Sequence, residues 1–250
     1  MIKLLKYDWK RSSDGILSTL AILILLEAAL SITGITRNWN EALVISFSIF
    51  GYSLALILLF IHCCRTFDQN IKSFSRRLLP LHPMKAAGTT ILLSWICAVL
   101  IIAIAAIHIP IYTAFSDIDN SFLNKNIQFE KGSIFYMILS IIWTYTTFTI
   151  SVLASITVAR SFRFKKSTWI GILFFFGVQA LIAWLSSVVF NHDDGSMGFF
   201  SIKGTSTEGS FAFGASNDLS YFAGPFLIEL AFTVGFLFLM NYLLNKKVEL

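Results

Sequence analysis

The chain has 250 residues, of which 56% are hydrophobic and 13% are charged. Soluble domains carry about twice that share of charged residues, so the composition excludes an ordinary soluble protein and indicates a membrane protein. The formal net charge of +5 does not indicate nucleic-acid binding, because the basic residues follow a membrane topology and do not form one patch.

The first fifteen residues, MIKLLKYDWKRSSDG, are predicted to form a helix that lies flat on the membrane. Ile2, Leu5 and Trp9 share one helical face, and three lysines share another. This pattern suits the headgroup layer, although a plain basic flank that sets topology would look similar. The first apolar run contains Glu27 and lacks a small-residue cleavage site, so we interpret it as a retained anchor.

Six apolar runs are long enough to cross a bilayer, because a hydrocarbon core ~30 Å thick needs about 20 apolar residues per helix. They lack two-residue alternation, which favours helices over a β-barrel. The predicted spans are 16–33, 42–64, 89–115, 133–159, 168–190 and 223–244. We therefore predict an all-α, six-helix membrane protein in which residues 1–250 form a single transmembrane domain.

The distribution of basic residues predicts the orientation. Six spans place both termini on one side, and that side carries 15 of the 19 basic residues. The remaining four are Arg37, Lys125, Lys131 and Lys203. Basic residues mark the cytoplasmic side, so both termini are expected in the cytoplasm.

No metal or disulfide site is predicted from the cysteines. Cys63 and Cys64 end the second span and Cys97 lies within the third, so none is placed for an external disulfide. His62 precedes the first two, but consecutive residues on a helix point in different directions, and no second Cys/His cluster follows.

Residues 65–88, RTFDQNIKSFSRRLLPLHPMKAAG, combine charge with a definite shape. Helically spaced apolar residues predict one apolar stripe over 65–78, with charged, mostly basic residues opposite: Phe67, Ile71, Phe74 and Leu78 form the stripe. Pro80 ends this helix, and Pro83 suits the first turn of the next one. A loop that only sets the membrane topology would need basic residues but no amphipathic helix followed by a turn.

The run LLPLHPMKAAGTTILL resembles the segment that opens the third span in permease subunits of type-2 ABC exporters. MIKLLKYDWKR resembles their N-terminal interfacial helix. Six spans, both ends inside and a large last outer loop extend the resemblance over the whole chain. Within this family, the length and the small outer segments are most similar to the permeases of phenol-soluble modulin exporters of Gram-positive bacteria.

The resemblance implies a permease of the bacterial plasma membrane that exports amphipathic peptides by alternating access. It implies a partner ABC ATPase, two permeases with two ATPases, and a helix at 65–78 seated on the ATPase. The implied coupling residues are Arg65, Phe67, Asp68, Ile71, Lys72, Phe74, Arg76 and Arg77. Export of lipid or of a peptide antibiotic (as in immunity permeases) and a non-transport role as a sensor or scaffold are the alternatives.

The chain is not expected to be an enzyme. It has no GxxxxGK[ST] loop, and its cytoplasmic segments are too short for a nucleotide-binding domain. No Ser-His-Asp set with plausible spacing and no intramembrane-protease set is present. ATP and Mg are therefore expected on the partner, with no cofactor bound by this chain.

Glu27 and Glu229 are the acidic residues within the six runs, and intramembrane carboxylates are candidates for a functional site. Either they line a hydrated path for cationic or amphipathic cargo, or each is neutral and hydrogen-bonded to a neighbouring helix. The fourth span carries a hydroxyl stripe that suits close helix packing or the wall of a path. Its members are Ser140, Thr144, Thr147, Ser151 and Ser155.

The outer segments are predicted to contain no folded domain. The long loop at 191–222 is acidic and rich in Gly and Ser, which is typical of solvated turns. The loop at 112–132 is also acidic, with a short helix expected near 117–125. His108, close to the outer end of the third span, is predicted to be a local hydrogen-bonding group and not a proton relay.

Overall fold

Six long helices and three short strands make up the computed structural model, which describes residues 2–37, 39–72, 84–115, 127–129, 133–162, 167–190, 201–205, 210–214 and 219–246. The helices are α1 (Ile2–Thr36), α2 (Glu41–Lys72), α3 (Met84–Phe115), α4 (Ser133–Ser161), α5 (Ser167–Phe190) and α6 (Leu219–Lys246). The strands are β1 (Ile127–Phe129), β2 (Ser201–Thr205) and β3 (Ser210–Gly214).

All six helices are long and apolar enough to cross a membrane, which confirms the predicted number of helical spans. Their outward faces carry large apolar side chains: Leu25, Leu173 and Phe238 are each more than 70% exposed. Such surfaces would associate in water and suit contact with lipid. The helices are therefore those of a multi-pass membrane protein.

The chain divides into two compact units, Met1–Asp119 and Asn120–Leu250. In unit 1 the three helices α1, α2 and α3 all pack against one another, and in unit 2 the same holds for α4, α5 and α6. Each unit thus contains three of the spanning helices.

The core of unit 1 is built by helical spacing. Each helix contributes three buried residues, spaced three or four positions apart: Ile16, Leu20 and Leu23 from α1, Ala55, Leu59 and Cys63 from α2, and Leu93, Cys97 and Ile101 from α3. This spacing places each set on one helical face. Van der Waals contact across these faces holds the helices together.

Unit 2 is held by close contact between α4 and α5. A Cβ atom placed on Gly171 would lie 2.8 Å from the Cβ of Ala159 and 3.0 Å from the backbone oxygen of Ser155. The absence of a side chain at Gly171 therefore allows the two helices to approach closely.

The first helix is longer than predicted. The expected interfacial helix at residues 1–15 is not a separate element, because α1 runs without interruption to Thr36. Ser13 lies inside α1 and donates a hydrogen bond to the backbone oxygen of Lys10 over 3.0 Å. The ring of His62 on α2 packs against Gly15, where an added Cβ would lie 2.8 Å from Cε1 of the ring. This packing supports the helix at the position where a break was expected.

The second helix is also longer than predicted. The expected end at Cys64 is wrong, because α2 continues to Lys72. The described part of the expected coupling helix therefore forms the last two turns of α2, and residues 73–78 lie outside the described part of the chain. Phe67 and Ile71 are buried, and the burial of these two side chains stabilises the last turns of α2 as a continuation of the helix.

The prediction of an all-α chain missed a small sheet in unit 2. Its strand order is β1-β3-β2. β1 runs parallel to β3, with Gln128 opposite Ala212, and β2 runs antiparallel to β3, with Lys203 opposite Ala212. Segments from the two loops that were expected to contain no folded domain thus pair with each other. The helix expected near 117–125 lies outside the described residues.

Candidate functional site

Glu27, on α1, is a buried carboxylate with only 2% of its surface exposed. Neither carboxylate oxygen has a hydrogen-bond partner in the described part of the chain. Ser48 of α2 lies near enough to interact with it, yet without acceptable hydrogen-bond geometry. The side chain fits against Gly51 of α2, where an added Cβ would lie 2.6 Å from Oε1. Glycine at that position therefore makes room for the carboxylate.

His108, on α3, links the three helices of unit 1 through hydroxyl groups. Ser31 Oγ donates to the backbone oxygen of Glu27 over 2.8 Å, and it also lies 2.8 Å from His108 Nε2. Tyr52 Oη of α2 lies 2.8 Å from His108 Nδ1. The prediction that His108 is a local hydrogen-bonding group agrees with these contacts.

One proton of this network can be assigned from its geometry. A hydroxyl has one proton, and Ser31 uses its proton on the Glu27 carbonyl, so Ser31 accepts from His108 Nε2–H. At Nδ1 the contact with Tyr52 fits two states: a neutral ring accepts from the Tyr52 hydroxyl, and a protonated ring donates to its oxygen.

The charge of the His108 ring decides whether the Glu27 carboxylate has a countercharge. His108 Nδ1 lies 3.9 Å from Glu27 Oε2, which is an ion-pair distance only for a protonated imidazole. A carboxylate at membrane depth is costly unless it is protonated, hydrated or paired.

A groove of about 620 Å³ runs between α1 and α3. Glu27, Ser31 and His108 are among the few polar residues that line it, and six isoleucines supply most of the apolar lining: Ile24, Ile32, Ile35, Ile104, Ile107 and Ile111. It extends from Ile24 and Ile104 to Thr36 and Phe115 near the ends of the two helices. The volume lies within the range of sites that bind small molecules.

A second buried carboxylate, Asp8, lies at the opposite end of unit 1. Asp8 is fully buried. It accepts a hydrogen bond from Asn70 Nδ2 of α2 over 3.2 Å. Thr89 Oγ1 of α3 lies 3.2 Å from the other carboxylate oxygen and shares its one proton between Asp8 and the backbone oxygen of Ala86 at 2.9 Å. We call Asp8, Asn70 and Thr89 the Asp8 junction, because they join α1, α2 and α3.

The structure places the predicted coupling residues in different environments. Arg65 and Lys72 are exposed, and Lys72 pairs with Asp68 over 2.8 Å. Phe67, in contrast, is fully buried and Ile71 is 9% exposed. The ring of Phe67 is therefore buried within unit 1, one turn before Asn70 on the same helix. The other predicted coupling residues, Phe74, Arg76 and Arg77, lie outside the described part of the chain.

Glu229, on α6 of unit 2, has a partner. Trp143 Nε1 of α4 donates to Glu229 Oε2 over 2.7 Å, and the Trp143 ring lies 4.5 Å from the ring of Phe226. Of the two interpretations of Glu229, this geometry matches the hydrogen bond to a neighbouring helix.

The hydroxyl stripe of α4 lies mainly in a packing contact. Ser140, Ser151 and Ser155 are buried, and Gln179 of α5 donates to Ser151 Oγ over 3.3 Å. Ser155 Oγ donates to the Ser151 backbone oxygen over 2.8 Å. Thr144 is exposed and Thr147 half-buried. The three serines thus agree with the packing interpretation, and a role of the threonines in a path stays a prediction.

Several members of these sites, among them Asp8 and Tyr52, were not predicted from the sequence. Asp8 lies among lysines and arginines, where a surface charge is the usual interpretation. No motif or spacing in the sequence singles out Tyr52. Ser31 could have been predicted as a neighbour of Glu27, because it follows Glu27 at the i+4 position on the same helical face.

Metal binding has no structural support in the described ranges, where no group of three or more His, Cys, Asp or Glu side chains is placed to hold an ion. Cys63 and Cys97 form a buried pair, with their sulfurs 3.9 Å apart. No protein-family model, no curated protein and no solved structure matches the chain.

Proposed function

We propose that the chain is the membrane-spanning permease subunit of an ATP-driven exporter of amphipathic peptides. It works in the bacterial plasma membrane with both termini in the cytoplasm, paired with a second permease and two ABC ATPase subunits. The proposal combines the family resemblance of the sequence with six spanning helices and the concentration of basic residues on one side.

The Asp8 junction is the observation that carries the proposal. It lies where α1 begins, α2 ends and α3 begins, an end of unit 1 that also exposes Lys3, Lys10, Arg65 and Lys72. We call this the basic end. The 73–83 segment, which holds the rest of the predicted coupling region, connects α2 to α3 here. A partner that moves this segment therefore acts on helix ends that the junction ties to α1.

The mechanism follows from this connection. Nucleotide-driven closure of the ATPase pair displaces the basic end, and the hydrogen bonds of Asp8 transmit the displacement from α2 and α3 to α1. Packed helices move as rigid elements in transitions of this kind. Arg65 and Lys72 lie on the exposed side of the last turns of α2 and form the docking surface, whereas Phe67 is buried.

The test uses the complex purified from its native membrane through a tag on this chain. A co-purified polypeptide must hydrolyse ATP, and amphipathic peptide must stimulate the hydrolysis. The double variant Arg65→Ala/Lys72→Ala is expected to lose most of the stimulation and some of the partner. Lys3→Ala/Lys10→Ala removes the same charge from exposed sites on α1 and is the matched control.

The alternatives give different results. Stimulation by phospholipid or by a peptide antibiotic, with no response to amphipathic peptide, would identify the lipid or antibiotic exporter. A complex without ATP hydrolysis would contradict transport and favour a sensor or scaffold. Equal stimulation in both double variants would contradict docking through the end of α2.

A further inference from the structure

We infer that the groove between α1 and α3 holds one acyl chain of an anionic phospholipid from the leaflet opposite the basic end. The acyl chain lies along the isoleucines of the groove, and the headgroup lies at its mouth near Thr36 and Arg37. The inference goes beyond the proposed export function, because it assigns to unit 1 a membrane partner that requires neither cargo nor ATPase.

The groove presents an almost wholly apolar surface, although Glu27, Ser31 and His108 are among its lining residues. Ser31 and His108 contact each other through polar atoms 2.8 Å apart, and the Glu27 carboxylate packs toward Gly51 of α2. These polar groups therefore face one another or α2, and an occupant of the groove finds van der Waals contacts along its length. An aliphatic chain fits such a surface.

The depth and length of the groove match one leaflet. It begins at Ile24 and Ile104 and ends at Thr36 and Phe115, so it runs from near the centres of the first and third predicted spans to their ends. From Ile24 to Thr36 the helix rises by about 18 Å, and half of a hydrocarbon core is about 15 Å. An extended hydrocarbon chain with C–C bonds of about 1.52 Å at near-tetrahedral angles rises by about 1.25 Å per carbon. About 15 carbons therefore fill the groove, which suits an acyl chain and is too short for a helix that crosses both leaflets.

The groove is open toward the membrane and closed toward the core of unit 1. Ile32 of α1 and Ile107 of α3 are 62% and 64% exposed, whereas Ile104 is half-buried and packs against the core. A chain in the groove thus contacts two helices, while a lipid on a single exposed helix face contacts one. Because lipid tails are as apolar as isoleucine, these additional dispersion contacts favour the groove over the surrounding bilayer.

A positive charge lies at the mouth of the groove. Arg37 follows Thr36, is exposed, and forms no ion pair with any other residue that the structure describes. Its backbone N–H donates to the Thr33 oxygen over 3.1 Å, which holds it at the end of α1. Trp39 is 40% exposed, and exposed tryptophan is typical of the headgroup layer. The Arg37 guanidinium therefore attracts lipid phosphate, and one such charge near the surface favours an anionic lipid about fivefold.

The experiment uses the purified chain in nanodiscs that contain phosphatidylglycerol with a photoactivatable diazirine at the end of one acyl chain. Mass spectrometry of peptides identifies the labelled residues. The label is expected at the deep end of the groove, on Ile24 and Ile104, above the level on Leu181, an exposed residue near the centre of the fifth span. A diazirine next to the glycerol is expected to label the mouth instead, at Thr36 and Phe115.

Two neighbouring alanines provide a matched pair of variants. Ala28 and Ala29 are both exposed on α1, and Ala28 lines the groove, whereas Ala29 is not among its lining residues. Ala28→Phe fills the groove and is expected to reduce the labelling of Ile24 and Ile104 to the level on Leu181. Ala29→Phe is expected to leave the labelling unchanged.

A second pair of variants tests the headgroup. The same diazirine on phosphatidylcholine is expected to label the deep end of the groove about fivefold less than the phosphatidylglycerol probe at equal mole fraction. Arg37→Gln is expected to reduce this ratio to about one. Lys10→Gln removes an exposed charge at the basic end and is expected to preserve the ratio.

The outcomes separate the two parts of the inference. Groove labelling no stronger than that of Leu181, or full labelling in Ala28→Phe, would overturn the acyl-chain site. Equal labelling by the two lipids in wild type, or an unchanged ratio in Arg37→Gln, would overturn the anionic headgroup. Since the nanodiscs contain neither ATPase nor peptide, a failure here would leave the proposed export function standing.

Discussion

Asn70 of α2 donates a hydrogen bond over 3.2 Å to the carboxylate of Asp8 on α1. The two residues are 62 positions apart, and both are buried. Thr89 of α3 donates to the other carboxylate oxygen, so one side chain from the first ten residues ties three helices together. Loss of either partner in such a contact leaves a buried polar group without its hydrogen bond, which destabilises the fold.

Removing Asp8 is expected to weaken unit 1. Asp8→Ala leaves the side chains of Asn70 and Thr89 without their carboxylate partner, and the free energy of unfolding should fall by about 1–3 kcal/mol. Denaturation of the purified protein in mild detergent measures the loss. Asp14→Ala is the control, because Asp14 is exposed on the same helix and its change should cost less than about 0.5 kcal/mol. Equal stability of the two variants would contradict the junction.

Phe67→Ala is expected to destabilise the protein, although the family resemblance implied a ring that contacts the ATPase. Phe67 is fully buried, and Phe50, on the same helix, is 65% exposed. Truncation of a buried Phe typically costs about 3–5 kcal/mol. Phe50→Ala should change stability far less under the same conditions. If Phe67→Ala lost ATPase binding but kept wild-type stability, the ring would belong to the docking surface after all.

The contact between α4 and α5 predicts opposite outcomes for two glycines of one helix. Gly171→Ala places a methyl group 2.8 Å from the Cβ of Ala159, and such overpacking costs about 1–3 kcal/mol. Gly177→Ala meets no atom within 4 Å, so the better helix propensity of alanine should stabilise it by about 0.5–1 kcal/mol. Thermal unfolding compares the pair. A stabilising Gly171→Ala would contradict the close approach of the helices.

The pair Cys63 and Cys97 predicts selective protection of two thiols. Their sulfurs are 3.9 Å apart across α2 and α3, so one mercury(II) ion can bind both. In a Cys64→Ser background, stoichiometric mercury(II) should block both thiols against maleimide added after denaturation. Cys97→Ser in the same background should leave one weakly protected thiol. Labelling of both thiols after mercury(II) treatment would show that α2 and α3 do not pack as described.

The spanning helices were predictable because each needs only a run of apolar residues, and that information lies in one stretch of sequence. The ends of α1 and α2 were not. Whether a helix stops at Cys64 or continues to Lys72 depends on contacts with other helices, such as the one between Asn70 and Asp8. The sheet was missed for the same reason, because β1 and β3 come from segments more than 80 residues apart.

The candidate site was partly predictable. Glu27 is conspicuous as a carboxylate in an apolar run, and the sequence offered either a charged path or a neutral hydrogen-bonded group. Its surroundings were not accessible from the sequence, because Tyr52 and His108 are 56 positions apart and no periodicity links them. At Glu229 the partner Trp143 is 86 positions away, so no local pattern distinguished the two carboxylates.

The fit of Glu27 against Gly51 fixes the register between α1 and α2. Sliding α1 along α2 by one turn, about 5.4 Å, would bring Glu27 opposite Phe47 or Ala55, where a side chain occupies the space that Gly51 leaves open. Steric contact of the Glu27 carboxylate with these side chains would therefore oppose translation of α1 along α2. Motion within unit 1 is consequently expected to be a tilt of the α1–α2 pair as one body, or a displacement of α3 relative to it.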